Sequence, residues 1–221
     1  MADSITGMDR LPRGRHGLSP EFVARNQRER LIAGLTQALY EVGYQKTTVS
    51  FIGQRAAVSK SDFYKHFESK DECFVAAYDA AIERIRERVT SACEEAEGEE
   101  WPGRVEKALE ALLQLSAADP ALASMALVEG LRAGRGVYDR YQAAVEVFVE
   151  YLREGAPTSL GDAEVPEATA EAVVGGIASL LGRRVLAGEA EKLNELFPEV
   201  LEFTLTAYLG AEEARRIVSS G

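Results

Sequence analysis

Residues 47–67 read Thr-Thr-Val-Ser-Phe-Ile-Gly-Gln-Arg-Ala-Ala-Val-Ser-Lys-Ser-Asp-Phe-Tyr-Lys-His-Phe. Their spacing predicts two short helices around a tight turn. Ile52, Ala56, Val58, Phe63 and Phe67 fall where they can hold the two helices at a fixed angle, and Gly53 falls where a large side chain would clash. In a helix-turn-helix the second helix enters the DNA major groove while the first braces it across the backbone. The outer face of the second of these helices offers Ser59, Lys60, Ser61, Tyr64, Lys65 and His66. Lysines and hydroxyls meet phosphates, and side chains near a helix N-terminus reach base edges. Thr47 or Thr48 caps the first helix, and Lys70 opens a further one, where free backbone N–H groups also favour a phosphate.

Upstream, Ser19-Pro20-Glu21 reads as a helix start: serine caps, proline fits the first turn and glutamate meets the positive dipole end. That helix is expected to run to Val42 and to bury Leu31, Ile32, Leu35, Leu39 and Val42, with Gly43 ending it. Ser59 with Asp62, and Ser69 with Glu72, read as capping boxes, the second opening a helix to about Glu95. Further helices are expected near 104–118, 120–131, 136–154, 166–187 and 190–218, the last broken at Pro198 and near Gly210. No strand-like alternation is seen. The expected fold is all-α, about nine to ten helices, with a three-helix reading head and a larger helical domain. The expected boundaries are 1–18 for a flexible basic arm carrying Arg13, Arg15 and His16, 19–68 for the head, and 69–221 for the regulatory domain.

Charge follows the same division. Residues 11–70 hold ten Lys/Arg against five Asp/Glu, a net of +5, whereas residues 71–221 hold fourteen against twenty-nine, a net of −15. A basic module on an acidic body is the electrostatic footprint of a nucleic-acid reader joined to something else, although the whole chain carries −11.

The remaining composition excludes other classes. No run of about 18 apolar residues suggests a membrane span, and the N-terminus has no apolar leader, so a cytoplasmic protein without a membrane partner is expected. Cys73 and Cys93 lack ligand spacing and are expected to be reduced, and the two histidines, His16 and His66, support no metal site. No phosphate loop, Ser/His/Asp set or nucleophile elbow is present, so neither an enzyme nor a cofactor is expected.

The pattern Thr-Thr-Val-x-x-Ile-x-x-x-Ala-x-Val-Ser-Lys-x-x-Phe-Tyr-x-His-Phe-x-x-Lys at 47–70 resembles the DNA-binding signature of the tetracycline-repressor (TetR) family of bacterial transcriptional regulators. The resemblance covers residues 22–85. The ending Ala207–Ala214 is similar to endings of actinobacterial members. The resemblance implies a homodimer that binds a palindromic operator in double-stranded DNA, usually as a repressor, and is released by a small hydrophobic effector. It also implies that Thr48, Lys60, Tyr64, His66 and Lys70 touch the DNA backbone, with Ser59, Ser61 and Asp62 nearest the bases. Two positions depart from the family. Ala57 stands where the turn usually carries glycine, and Asp62 where a threonine or another small residue is common; capping is the favoured role for Asp62. An activator or global regulator with the same head and no effector is the alternative.

Candidates for the effector pocket are Trp101, Leu112, Ser116, Met125, Glu129, Tyr138, Tyr141 and Phe148 on the middle helices. Three glycines, Gly175, Gly176 and Gly182, fall in one predicted helix, at a cost of roughly 1 kcal/mol each against alanine. Close helix–helix contact offsets such a cost. The resemblance makes that contact a dimer interface of Gly175, Gly176, Ser179, Leu201, Leu205 and Tyr208.

Overall fold

A computed structural model describes residues 19–132 and 135–220. The basic arm expected at 1–18 lies outside the described residues. The chain forms two compact units that divide at Ala80/Ala81.

The first unit begins with α1, Pro20–Val42. Ser19 Oγ accepts the Phe22 N–H at 3.2 Å, which supplies the cap. Gly43, at φ 75°, closes the helix by donating its N–H to Leu39 O at 2.8 Å. The buried stripe is Leu31, Gly34, Leu35, Ala38 and Leu39. Ile32 is only half-buried and Val42 is exposed, so the stripe is narrower than expected. Small residues take part in it because α2, Val49–Ala56, packs close: a Cβ on Gly34 would lie 3.1 Å from Ala56 N and 3.2 Å from Ile52 O. The short helix α3, Lys60–His66, and the first turns of α4, Lys70–Glu95, complete the unit. Leu31, Leu35, Ile52, Phe63, Phe67 and Tyr78 are its largest fully buried side chains. Burial pushes the neighbouring Cys73 thiol up to about 12, the behaviour of a core residue rather than a nucleophile.

The second unit holds the rest of α4, then α5 (Trp101–Ala118) and α6 (Pro120–Ser124). A single wide turn of π-helix, Met125–Glu129, separates α6 from α7 (Gly130–Arg132), where one uninterrupted helix over 120–131 was expected. After it come α8 (Arg135–Arg153), α9 (Thr169–Leu186), a 3₁₀ segment (Ala190–Leu196), α10 (Phe197–Leu209) and α11 (Ala211–Ser220). Pro198 does not break a helix here. It occupies the first turn of α10, where its missing N–H costs nothing.

One feature departs from the all-α expectation. Ser159–Leu160 and Ala163–Glu164, β1 and β2, pair antiparallel around Gly161-Asp162, with Gly161 at φ 59° as a two-residue hairpin loop demands. The core of this unit is built on Leu113, Val149, Leu181, Leu193 and Leu205, with Trp101 packed on Tyr208 at 4.9 Å between ring centroids. Among the described residues no single helix is long and apolar enough to cross a membrane, and no group of His, Cys, Asp and Glu is placed to hold a metal ion.

Candidate nucleic-acid interface

α2 and α3 are each started by a side chain. Thr48 Oγ1 accepts the Phe51 N–H at 3.2 Å, and Ser59 Oγ accepts the Asp62 N–H at 3.0 Å. Between them the chain turns within three residues. Ala57 takes the left-handed conformation at φ 50°, the one described non-glycine residue to do so. Its N–H reaches back to Gln54 O at 3.3 Å, and Val58 N–H to Gly53 O at 2.9 Å.

Arg30, on α1, fixes this turn from outside. Its guanidinium donates to Ala56 O and, at 3.0 Å, to Ala57 O, so a cation closes the C-terminal end of α2. Ala57 itself is exposed, and a left-handed alanine costs roughly 1–2 kcal/mol, against roughly 0.5–1 for the greater freedom glycine loses on folding. Ala57→Gly is therefore expected to stabilise the head by about 0.5–1 kcal/mol. Thermal unfolding and amide exchange in α2 read this; an unchanged or lowered midpoint would mean that Arg30 has already removed the strain.

Inside the pair, Ile52, Ala56, Val58, Phe63 and Phe67 are all buried, as their spacing predicts. With Phe63 at 0% exposure, the opposite face of α3 is turned out: Lys60, Ser61, Lys65 and Tyr64, the last 52% exposed. Thr48 and Ser59 share that exposure. This polar edge is locally organised. Ser59 Oγ lies 2.7 Å from Asp62 Oδ2 and 2.9 Å from Ser61 Oγ, and Lys65 Nζ lies 2.7 Å from Asp62 Oδ1. Lys65 first, and Ser59 next, hold the Asp62 carboxyl below its usual range. Ser59 is thus the cap of α3, while the Asp62 carboxylate holds the Ser59 hydroxyl and pairs with Lys65.

Two residues expected on the outer face are held elsewhere. His66 is half-buried, with Nε2 3.1 Å from Gln27 Oε1 of α1, and burial lowers its pKa. Lys70 directs its ammonium inward, to Tyr44 O at 3.0 Å and Thr47 O at 3.1 Å. Neither placement is legible from helical periodicity, because each partner lies more than twenty residues away in sequence.

In the second unit the eight pocket candidates separate. Ser116, Met125 and Glu129 are buried. The Ser116 hydroxyl has no hydrogen-bond partner, and burial raises the Glu129 pKa against the pull of Arg132, 3.6 Å away. Trp101 is a core pillar whose indole N–H donates to Leu152 O at 3.0 Å. Leu112, Tyr141 and Phe148 are half-buried, and Tyr138 is on the surface, its ring stacked on Tyr141 at 6.4 Å. A separate cavity of about 290 Å³ lies between α4 and α5, lined by Arg88, Glu95, Glu99, Lys107, Glu110 and three alanines; it includes none of the eight.

The six interface candidates also divide. Gly176 and Ser179 are exposed and Gly175 half-exposed on α9, but Leu201, Leu205 and Tyr208 lie in the protomer's own core. α10 is apolar on nearly every side, so periodicity does not reveal which face is turned out; its exposed large apolar side chain is Phe203, at 51%. Gly182 has an internal reason to be glycine, since a Cβ there would lie 3.3 Å from Leu127 O. Nothing within the protomer lies within 4 Å of a Cβ at Gly175.

Residues 31–77 match the family of bacterial regulatory proteins called the tetR family. No curated protein matches the chain. Among solved structures, the fatty acid degradation regulator FadR from Bacillus halodurans is 16% identical with a TM-score of 0.69, over 86% of this chain and 97% of that one. A TetR-like transcriptional regulator from Rhodococcus sp. RHA1 is 20% identical with a TM-score of 0.67, over 89% and 97%. FadR from Bacillus subtilis, solved in complex with stearoyl-CoA, is 17% identical with a TM-score of 0.67, over 81% and 98%. The stretch from α1 into α4 thus matches the tetR family of bacterial regulatory proteins, and most of the chain shares the fold of these three regulators.

Proposed function

We propose that the protein is a homodimeric repressor that grips a palindromic operator through two copies of α3 and releases it when a hydrophobic effector enters the second unit. The observation that carries this reading is the exposed edge Lys60-Ser61-Tyr64-Lys65 on a helix whose other face, through Phe63, is locked into the head. Lys60, Lys65 and Tyr64 serve the phosphates, with Thr48 at the α2 N-terminus. Ser59 and Ser61, at the α3 N-terminus, lie nearest the bases. On DNA, a phosphate competes with Asp62 for the Lys65 ammonium.

The dimer reading is supported by α9. A glycine in mid-helix costs about 1 kcal/mol against alanine, and Gly175 has no neighbour inside the protomer that excludes a side chain. A second copy packed against Gly175, Gly176, Ser179 and Phe203 supplies the missing reason. For the effector, the buried hydroxyl of Ser116 and the carboxyl of Glu129 give a mostly apolar interior a few polar points. A long-chain acyl-CoA is the first class to test, because a protein of the same fold was solved with stearoyl-CoA.

The test is a footprint on DNA flanking the protein's own gene, repeated with added acyl-CoA. Specific protection lost on adding the thioester is expected. Failure to protect any sequence at moderate salt would defeat the DNA reading, and protection indifferent to acyl-CoAs would move the effector to another class. A dimer neutralising roughly 6–10 phosphates is expected to lose about 10³–10⁵ in affinity between 50 and 200 mM salt. Lys60→Ala is expected to weaken every sequence alike and reduce the salt slope by about one per head, whereas Ser61→Ala alters base preference by about 1–3 kcal/mol at one position. A changed operator preference in Lys60→Ala would remove Lys60 from the phosphates.

A further inference from the structure

An ammonium group has three N–H donors and no acceptor. In Lys70 two of the three are spent on the carbonyls of Tyr44 and Thr47, at 3.0 and 3.1 Å. The same nitrogen lies 3.8 Å from the centroid of the Tyr44 ring, so the third side of the cation faces a π cloud. The ring is held in turn: its edge meets Phe74 at 5.6 Å between centroids, and its hydroxyl donates to the Asp71 carboxylate. Lys70, Asp71 and Phe74 all come from the opening of α4, and all three grip the loop joining α1 to α2. Thr47, in that loop, is 1% exposed and donates its own hydroxyl to Gly43 O at 2.9 Å. The next residue, Thr48, caps α2.

We propose that Lys70 is a positioning residue of the reading head and not a phosphate contact: it clamps the α1–α2 loop onto α4 and so fixes where α2 begins. The family resemblance put Lys70 among the backbone contacts, but its donors are already engaged. Arg30 secures the other end of the same helix at Ala56 O and Ala57 O, so α2 is pinned at both ends by cations from flanking helices. This placement rests on the DNA-binding reading, because it assigns a role within that site.

The experiment uses the full-length protein with Lys70→Met, which keeps the stem and removes the donors, and Tyr44→Leu, which removes the ring and the Asp71 bond but keeps the Lys70 charge. In the free protein, amide exchange over residues 44–51 is expected to quicken about tenfold in both variants. On operator DNA both lose affinity while the dependence of log K on log salt keeps the unmodified slope. A phosphate contact would instead cut that slope by about 0.9 per head in Lys70→Met alone. A reduced slope with unchanged exchange in Lys70→Met would overturn the proposal, as would unaltered affinity and exchange in Tyr44→Leu. Should Lys70→Met fail to fold, as judged by circular dichroism, Tyr44→Leu decides. If the unmodified protein binds no specific DNA, the DNA reading falls, and the exchange measurement still judges the clamp.

Discussion

Gly53→Ala is expected to abolish specific DNA binding at the concentrations where the unmodified protein binds, a loss of about 100-fold or more, equivalent to ~3 kcal/mol. A Cβ on Gly53 would stand 2.6 Å from Val58 O, 3.7 Å from Val58 C and 3.9 Å from Ser59 C. All three are backbone atoms, so no flexible side chain can swing aside. The turn must open, and the peptide it moves leads directly into Ser59, the cap of α3. Overpacking of this kind costs about 1–3 kcal/mol in stability, and in a domain of 60–100 residues each kcal/mol lowers the midpoint by about 4–8 °C. The affinity loss should exceed what unfolding alone explains, because α3 is displaced even in molecules that stay folded. Mobility shift at a temperature well below the midpoint, beside circular dichroism, separates the two. Binding within a factor of about three of the unmodified protein would show that α3 reads DNA without a fixed angle to α2.

The second large effect is expected from Phe203→Glu. Phe203 is half-exposed on α10 and its ring lies 3.4 Å from where a Cβ on Gly176 would be, so it covers the one stretch of α9 whose glycines lack an internal reason. A charge there costs the protomer little, within about 0.5 kcal/mol as for other surface changes. Against a second copy it would be a buried, unpaired carboxylate, which a C₂ contact brings in twice. Sedimentation is expected to show a monomer at micromolar concentration. Affinity for the full operator should fall by about 10²–10⁴ as the linkage between the two heads is lost, while contact with a half-site persists. A dimer that survives the substitution would put the interface on another face.

What the sequence reveals about this protein is what local chemistry decides. The caps at Thr48 and Ser59 and the five-residue core of the helix-turn-helix are legible because each depends on neighbours within a few positions. So is the exceptional conformation of Ala57, since the turn demands it whatever residue is present. The inward turn of Lys70, the Gln27 partner of His66 and the burial of Leu201, Leu205 and Tyr208 depend on which segments meet in space. α10 illustrates the difficulty: Phe203 and Leu205 are equally apolar, yet one is half in solvent and the other wholly enclosed. Trp101 looked like a pocket wall because aromatic residues line pockets; its indole is occupied by Leu152 O and its ring by Tyr208.

The wide turn at Met125–Glu129 takes up one extra residue. Closing a helical turn from Met125 O to the Gly130 N–H takes one residue more than an α-turn needs. The extra residue is absorbed within that turn, so the side chains that follow keep the faces they would have in an unbroken α-helix. Glu129, at the end of that turn, is enclosed and within reach of Arg132.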